Sequence, residues 1–344
     1  MEQKKRIGVW DMWKGIAIIS VILIHSTGYA SNFTLDNFNL NTALYLRQFI
    51  NFPVAMFLFI SGYFSAHTEN SNFIESISKR LRRILPPYIT WSILYLVLYH
   101  IVFNRDIGLK KILSGLLLGN AIPIGYFVVL LIQFIFLSHL YSLIKNPKTH
   151  LSLIFTTTVI GFIYTYSTRF FIPDGILTTF PFSAIPFFVW YPFFHVGYYI
   201  SRYKVNIKIR MKTLLILMTL CIFMSIIEAS YISPRLGYDF ASSQTKLTSI
   251  LTSFILCLLV VKTINFNMRS RLLEWLGKKS FGIYLIHIYI VTKTIAILQK
   301  TYIYQEAPLI AFLITTSIAL FISLLIIQSI QIVFGKKIAS FIVG

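Results

Sequence analysis

Long apolar stretches recur along the whole chain and constrain its fold more than any other feature of the sequence. A helix needs about 20 apolar residues to cross a bilayer, and in lipid its backbone groups must be paired within the helix. We predict ten such spans, at residues 12–30, 45–66, 87–103, 124–144, 151–171, 182–200, 213–231, 247–261, 280–298 and 309–334. A short apolar segment at 112–120 is predicted to be an interfacial helix. The expected fold class is an all-α integral membrane protein, with a single membrane domain over residues 1–344.

Composition agrees with a membrane protein and excludes two other classes. Only 12% of the residues are charged, whereas about 25% of a soluble domain is charged. The net charge of +20 is typical of nucleic-acid binding, but the basic residues form short clusters between the spans. We therefore expect a lipid bilayer, and no nucleic acid, as partner. Cys221 and Cys257 both lie in predicted spans, so the sequence predicts neither a disulfide framework nor a metal site.

The distribution of lysine and arginine predicts the orientation of the spans. If the N-terminus is cytosolic, 21 basic residues lie inside, in clusters at 4–6, 79–83, 145–148, 202–212, 262–279 and 336–337. Seven lie outside: Arg105, Lys110, Lys111, Arg169, Arg235, Lys246 and Lys300. Because loops that stay in the cytosol carry the excess of positive charge, we predict that both termini are cytosolic.

The first span carries three ionisable residues on one helical face. Lys14 and His25 are 11 positions apart, which leaves them about 20° apart around the helix, and Asp11 lies about 40° from His25. A charged group at membrane depth costs roughly 2.5–3.5 kcal/mol, so the three are candidate functional residues. The structural alternative is that Asp11 and Lys14 form an interfacial pair that anchors the helix, and that His25 is packed against a neighbouring helix.

A second group of charges precedes the third predicted span. The sequence KRLRR, which contains Arg80, Arg82 and Arg83, is followed by Pro86 and Pro87. Since proline is typical of the first turn of a helix, we predict that the third helix begins at these prolines, just after the basic cluster. Backbone N–H groups and arginine side chains at that position suit a phosphate or diphosphate. The alternative is an ordinary positive-inside anchor that contacts anionic lipid headgroups.

These motifs resemble those of a known membrane family. Lys14 followed by ten residues and His25 resembles the basic-x10-His motif of the acyltransferase family 3 membrane proteins, and Arg80-x-x-Arg83 is similar to the same family's RxxR motif. Three further similar stretches, FLFISGYF, FFHVGYY and SFGIYLIH, follow in the family's order, so the resemblance covers essentially the whole chain. Lys14 stands where the family more usually has arginine, and Tyr126 where relatives often have tryptophan.

The resemblance implies an O-acyltransferase of surface glycans in the bacterial cytoplasmic (inner) membrane. Its co-substrate would be a cytosolic acyl-CoA, in the first instance acetyl-CoA, with no bound cofactor. Its acceptor would be a hydroxyl of a surface polysaccharide or a lipid-linked glycan. The implied catalytic group is His25, as general base or transient acyl carrier, with Asp11 orienting Lys14. The implied acyl-CoA site consists of basic side chains: Lys14, Arg80, Arg82 and Arg83.

Helix geometry is compatible with a donor group near Lys14 and chemistry near His25. The two residues are roughly 16 Å apart along the helix, and a pantetheine arm has a similar reach of roughly 15 Å. Further polar residues are candidates for lining the cavity or facing the acceptor: Tyr284, His287, Tyr126, Ser61, Glu228 and Arg47. The structural alternatives are interhelical hydrogen bonds for Tyr284, His287 and Ser61, and snorkelling to the interface for Glu228 and Arg47.

Two questions about function stay open at this point. Some larger relatives carry a fused extracytoplasmic hydrolase-like domain, for which this chain is too short, so we expect either direct transfer or a separate extracytoplasmic transferase partner. The main alternative to an enzyme is a transporter or flippase for a polysaccharide or small solute, with His25 and Lys14 along its path. Transporters often show paired interrupted helices in two related halves, and the sequence contains no such repeat.

Overall fold

The computed structural model describes residues 8–28, 30, 37–68, 73–104, 108–173, 175–179, 182–266 and 268–344. Within these ranges the regular structure is helical and includes no strand. The α-helices found there are α1 Gly8–Thr27, α2 Asn37–Ile50, α3 Pro53–Ser65, α4 Phe73–Phe103, α5 Leu109–Leu118, α6 Tyr126–Leu143, α7 Pro147–Phe171, α8 Phe187–Arg202, α9 Met211–Ala241, α10 Leu247–Asn265, α11 Arg271–Lys278, α12 Ser280–Leu298, α13 Tyr302–Glu306 and α14 Pro308–Val343. The predicted basic residues Lys4, Lys5, Arg6 and Arg105, and position 29 of the first predicted span, lie outside the described residues.

Nine helical segments of the described chain are long and apolar enough to cross a membrane. They are α1, α2 continued by α3, α4, α6, α7, α9, α10, α12 and α14. The prediction of an all-α integral membrane protein is therefore confirmed. The predicted span at 182–200 corresponds to α8, which has 16 residues and is shorter than the other spans. The cytosolic location of both termini stays a prediction.

The structure corrects the predicted start of the third span. α4 begins at Phe73 and continues through Pro86 and Pro87, so the prediction of a helix N-terminus just after the basic cluster is wrong. The two prolines remove the helical N–H donors of the Arg82 and Arg83 carbonyls, which weakens the helix at that point. The helix nevertheless continues because the residues directly before the prolines, KRLRRIL, are mostly good helix formers.

Breaks in the other helices follow local backbone chemistry. α2 ends at Ile50 and α3 begins at Pro53, so the helix is interrupted just before the proline, which suits the first turn of α3. α9 and α14 extend beyond their predicted ends, each through a glycine with positive φ, Gly237 at 82° and Gly335 at 74°. Glycine reaches this conformation without the steric cost of a side chain.

Two other helices agree with the predicted bounds. α12 begins and ends at the predicted residues, and α5 overlaps the predicted interfacial segment.

The chain forms two compact units. The first consists of Met1–Ile60, Asn206–Ser280 and Tyr289–Phe321, and the second of Ser61–Val205, Phe281–Ile288 and Ile322–Gly344. Helices α1, α2, α9, α10 and α11 belong to the first unit, and α4 to α8 belong to the second. The prediction of a single domain over residues 1–344 stays a prediction.

The N-terminal half of α1 packs against α11, a short helix that the pattern of spans does not predict. A β-carbon on Gly15 would overlap the carbonyl oxygen of Leu273, and one on Gly277 would overlap that of Asp11. The two backbones are therefore in direct contact, as small residues allow between membrane helices. This contact fixes the part of α1 that carries Asp11 and Lys14.

Gly277→Ala is expected to lower the free energy of unfolding by about 3 kcal/mol, because the overlapped atoms belong to backbone that cannot rotate away. The measurement is denaturant unfolding of the purified protein in detergent. Gly28→Ala is the matched control, since its β-carbon would lie 3.4 Å from the nearest atom, the Ile24 oxygen, which is an ordinary contact. Equal stability of the two variants would contradict the close packing of α1 on α11.

Candidate functional site

A cationic cavity lies beside the first turns of α4 in the second unit. Its volume is about 590 Å³, within the range of small-molecule sites. Lys79, Arg80 and Arg83 of α4 line it, together with residues from α3, α6, α8 and the segment before α4, which include Ser61, Phe64, His67, Ile135 and Phe194. Among the described residues of the lining, Glu75 is the one carboxylate. The net positive charge suits a phosphate or diphosphate group.

Arg80 is held at the wall of this cavity by two hydrogen bonds. Its Nη1 donates to Ser138 Oγ at 3.2 Å, and its Nη2 donates to Ser65 O at 3.4 Å. Arg80 is half-buried, whereas Arg83 is exposed. The spacing of three residues places both on one face of α4, so the structure brings the two arginines of the RxxR motif to the same cavity.

Arg82 lies on the other side of α4. At about 100° per residue it is about 200° from Arg80 around the helix. It lines a second cavity of about 950 Å³ that also contacts Gly344 at the end of the chain. Lys79 and Arg83 border both cavities. Of the three arginines predicted to form one site, Arg80 and Arg83 therefore share the first cavity and Arg82 faces the second.

Two of the sequence motifs meet at the wall of the first cavity. Gly62 of FLFISGYF packs so closely on Phe194 of FFHVGYY that a β-carbon on Gly62 would overlap the Phe194 carbonyl oxygen. Phe194 also stacks on Phe134, with ring centroids 4.9 Å apart. These contacts fix α3 and α6 against α8 where the three helices line the cavity.

In the first unit, α1 carries the predicted ionisable residues. Asp11 is buried, with 2% of its surface exposed, and Lys14 Nζ lies 3.5 Å from Asp11 Oδ1. The pair is compatible with both the anchoring and the functional interpretation. His25 follows on the last turn of the same helix, roughly 16 Å from Lys14 along the axis. The joint action of Lys14 with Arg80 and Arg83 stays a prediction.

Arg47 contacts the turn of α1 that carries His25. Its side chain is 8% exposed, and its Nη1 donates to Ile24 O at 2.8 Å. Its Nη2 donates to Ser242 O at 2.8 Å, and its Nε donates to Asn51 Oδ1 at 3.2 Å. The alternative that Arg47 snorkels to the interface is therefore wrong, because the side chain turns inward to these acceptors.

Two further helices hold the same turn of α1. Ser26 Oγ lies 3.2 Å from Thr316 Oγ1 of α14, and the Tyr238 hydroxyl of α9 donates to Thr27 O at 3.4 Å. His25 itself is half-buried. The residues on both sides of the histidine are thus bound by other elements, which restricts the backbone of this turn.

Glu228 takes part in a buried ion pair that the sequence does not predict. Its Oε2 lies 3.3 Å from Lys246 Nζ and accepts hydrogen bonds from the backbone N–H and the hydroxyl of Thr248. Lys246 is fully buried, and its Nζ also lies 2.5 Å from Ser225 Oγ. Lys246 lies in the short segment between α9 and α10, as predicted, but its side chain points inward. The location of this segment outside the membrane stays a prediction.

Glu228→Gln is expected to lower the free energy of unfolding by about 3 kcal/mol, because it leaves a buried cation without its counter-charge. Burial lowers the pKa of Lys246 from 10.5 to about 8, although Glu228 opposes this shift. Between these values the unfolded state binds more protons than the folded state, so stability rises with pH. In Glu228→Gln the free energy of unfolding should begin to rise at a lower pH. The neutral amide does not stabilise protonated Lys246 as the carboxylate does, so the pKa of Lys246 in the folded state is lower still.

Denaturant unfolding of the purified protein across this pH range tests the buried pair. Glu306→Gln makes the same chemical change at an exposed position on α13 and is the matched control. If Glu228→Gln and the control have the same stability at every pH, Glu228 does not compensate the charge of Lys246.

The remaining candidates on α12 and α6 are mostly occupied by structural contacts. The Tyr284 hydroxyl donates to Ile124 O, and His287 Nδ1 donates to Ile283 O at 3.0 Å. Both side chains are buried, which agrees with the structural alternative that the sequence leaves open. Tyr126, the first residue of α6, is half-buried.

A pair of buried histidines is a further feature that the sequence does not predict. His150 Nδ1 lies 2.7 Å from His195 Nε2, and His150 Nε2 lies 3.1 Å from Ile144 O. Since a carbonyl only accepts, His150 donates from Nε2 and accepts from His195 at Nδ1. Tyr141 stacks on His195 with ring centroids 4.4 Å apart. The pair joins α7 to α8 at the residue that follows Phe194, and Phe194 lines the cationic cavity.

Fold and site together define a class of membrane protein. Its helices cross the bilayer many times, a cationic cavity lies beside one span, and another span carries a histidine on a turn that three other helices contact. No three metal-ligating side chains come together among the described residues. A family model described as an acyltransferase domain matches residues 7–328. The chain therefore belongs to acyltransferase family 3, as its motifs predict.

Some relatives of this chain are named as polysaccharide export proteins, and another is named as an acyltransferase. A Staphylococcus aureus (strain Mu50 / ATCC 700699) protein named as a poly-beta-1,6-N-acetyl-D-glucosamine export protein is 26% identical over 342 residues, which cover 94% of this chain and 91% of that protein. A Bacillus subtilis (strain 168) protein named as the membrane-bound acyltransferase YfiQ is 25% identical over 211 residues, which cover 56% of this chain and 55% of that protein. No solved structure matches the chain.

Proposed function

We propose that this protein is a membrane O-acyltransferase. It moves an acyl group, in the first instance acetyl, from cytosolic acyl-CoA to a hydroxyl of a surface polysaccharide or its lipid-linked precursor. It acts as a multi-pass protein of the bacterial cytoplasmic membrane, with both termini in the cytosol. The observation that carries this proposal is the cationic cavity beside α4, and membership of the acyltransferase family supports it.

The cavity suits the charged end of an acyl-CoA. The donor carries a diphosphate and a further phosphate, and Arg80, Arg83 and Lys79 supply cations at one surface. Because Ser138 and Ser65 already hold the Arg80 guanidinium, little order is lost when it binds a phosphate oxygen. The aromatic and aliphatic part of the lining suits the adenine ring and the pantetheine chain.

His25 is the proposed base of the transfer. Its imidazole takes the proton of the acceptor hydroxyl while the hydroxyl oxygen attacks the thioester carbonyl. The carbon–sulfur bond then breaks, and the CoA thiolate receives the proton from the imidazolium, which restores the histidine. In the alternative, His25 attacks the thioester first and carries the acyl group to the hydroxyl. Lys14, oriented by Asp11, would act at the donor end of α1.

The name of the relative in Staphylococcus aureus supports the proposed acceptor class. That protein is named for the export of poly-beta-1,6-N-acetyl-D-glucosamine, a polymer whose sugars carry free hydroxyls. We infer an acceptor of the same chemical class for this chain, an amino-sugar polymer or its lipid-linked precursor. Transfer is either direct or completed by a separate extracytoplasmic transferase.

Export of a polysaccharide is the second candidate function. It is favoured by the name of a relative that covers 94% of this chain. In this case His25 and Lys14 would line the path of the polymer. The two candidates differ in one chemical respect, because export consumes no acyl-CoA and releases no free thiol.

Release of free CoA therefore separates the two functions. Purified protein in liposomes is given acetyl-CoA, with or without β-1,6-linked N-acetylglucosamine oligosaccharides, and free thiol is measured. Acyl transfer predicts CoA release that depends on the oligosaccharide and matches the amount of acetylated product. Passage of the oligosaccharide through the liposome membrane without CoA release would contradict the enzyme and support export.

A further inference from the structure

Arg47 is a buried arginine that joins three segments of the first unit. Its three nitrogens donate to Ile24 O of α1, to Ser242 O after α9, and to Asn51 Oδ1 after α2. A buried cation is costly unless its donors are paired in good geometry. Lysine, with one nitrogen at the end of a flexible chain, cannot contact three separate acceptors in this planar arrangement.

The contact with α1 is made at the peptide group that precedes His25. Ile24 O accepts hydrogen bonds from Gly28 N at 3.0 Å, from Thr27 Oγ1 at 3.0 Å and from Arg47 Nη1 at 2.8 Å. The first two bonds lie within the last turn of α1 and its end. Arg47 supplies the bond from outside the helix, and because the peptide group is planar, fixing its oxygen also fixes the His25 nitrogen.

The other side of the guanidinium is held equally firmly. Ser242 O accepts from Arg47 Nη2 at 2.8 Å and from Asn51 Nδ2 at 2.9 Å. Gln48, on the same helix as Arg47, accepts from Ser225 Oγ at 2.9 Å. α2 therefore contributes adjacent polar contacts to α9 and to the segment that follows it, so Arg47 cannot move without disturbing these bonds.

We propose that Arg47 is a positioning residue for His25. Its guanidinium fixes the Ile24–His25 peptide relative to α2 and the segment after α9, and so sets the direction of the imidazole. The inference rests on the proposed role of His25 in acyl transfer. Arg47 itself is not proposed to touch donor or acceptor.

Histidine-selective NMR tests the positioning directly. The purified protein is labelled in its imidazole rings, and the His25 signal is assigned by its absence from His25→Ala. Arg47→Ala is expected to shift or broaden the His25 signal, and Arg47→Lys is expected to do the same because it loses the fork while keeping the charge. Arg235→Ala removes an exposed arginine that contacts Tyr231 on its own helix and should leave the signal unchanged.

Kinetics separate positioning from a general loss of structure. Arg47→Ala is expected to lower kcat for acetyl transfer about 100-fold, as a small misplacement of a catalytic group does, while the Kd for acetyl-CoA stays at the wild-type value.

If Arg47→Ala does not fold, the same measurements on Arg47→Lys test the inference. An unshifted His25 signal in a folded Arg47 variant, or full kcat in that variant, would overturn the inference. If the wild type releases no CoA, the proposed function fails, whereas the NMR result still decides whether Arg47 positions His25.

Discussion

His25→Ala is expected to lower the rate of acyl transfer about a thousandfold, the order of magnitude that a general base contributes. The variant should still insert and fold, because the contacts that hold its turn are made by Ile24, Ser26 and Thr27. Donor binding should also persist, since the proposed phosphate contacts are made by other side chains. The loss is therefore expected in kcat and not in the affinity for acyl-CoA.

The measurement is acceptor-dependent release of CoA, with the Kd for acetyl-CoA determined on the same preparation. His100→Ala, which removes an exposed histidine of α4, is the matched control and should retain wild-type transfer. Single turnover with labelled acetyl-CoA and no acceptor separates the two roles of His25, because an acyl carrier would retain the label and a base would not. Wild-type transfer by His25→Ala would exclude both roles.

The double variant Arg80→Ala/Arg83→Ala is expected to weaken acyl-CoA binding by at least about 100-fold, because each charge-assisted hydrogen bond to a phosphate contributes about 1.5–3 kcal/mol. Both arginines line the cavity of about 590 Å³. The measurement is the equilibrium affinity for acetyl-CoA and, separately, for pantetheine, which lacks the diphosphate. The substitutions should weaken the first affinity and leave the second unchanged.

Arg82→Ala provides a control that only the structure identifies. Arg82 belongs to the same KRLRR cluster but lines the other cavity. Arg82→Ala removes one positive charge, whereas the double variant removes two. Its substitution should change acetyl-CoA affinity by no more than about twofold, as expected for an exposed residue outside the site. A tenfold loss of affinity with Arg82→Ala, about half of the free energy expected for the double variant, would mean that the cluster acts through its total charge and that the cavity is not the donor site.

The parts of this protein that follow from the sequence are those determined by local patterns. The hydropathy of residues 280–298 gives both ends of α12. The first apolar stretch of the chain likewise places Lys14 and His25 on one helix, α1. The start of α4 cannot be predicted in this way, because Pro86 and Pro87 are typical of a first turn but are also tolerated inside a helix. Because α4 begins at Phe73 and not at the prolines, the arginines lie on the face of a helix and not before its first turn.

The contacts that complete the site depend on residues far apart in the chain. Arg47 meets Ser242 across 195 positions, and nothing in the sequence around either residue indicates the other. His150 and His195 are likewise 45 positions apart. The rule that charged residues near span ends snorkel fails for Arg47 because buried carbonyls accept its hydrogen bonds. Such acceptors become visible only when the helices are packed.

The mass of the surface polysaccharide in living cells tests the assignment of acyl transfer to His25. Cells that lack this protein are compared with cells that produce the wild type or His25→Ala at equal levels. We predict that the polysaccharide carries acetyl esters in cells that produce the wild type. In the other two strains the same repeats lack the ester, so each is lighter by one acetyl group. Identical acetylation in all three strains would show that this protein is not the transferase. Acetylation by His25→Ala at the wild-type level would show that the histidine is not its catalytic group.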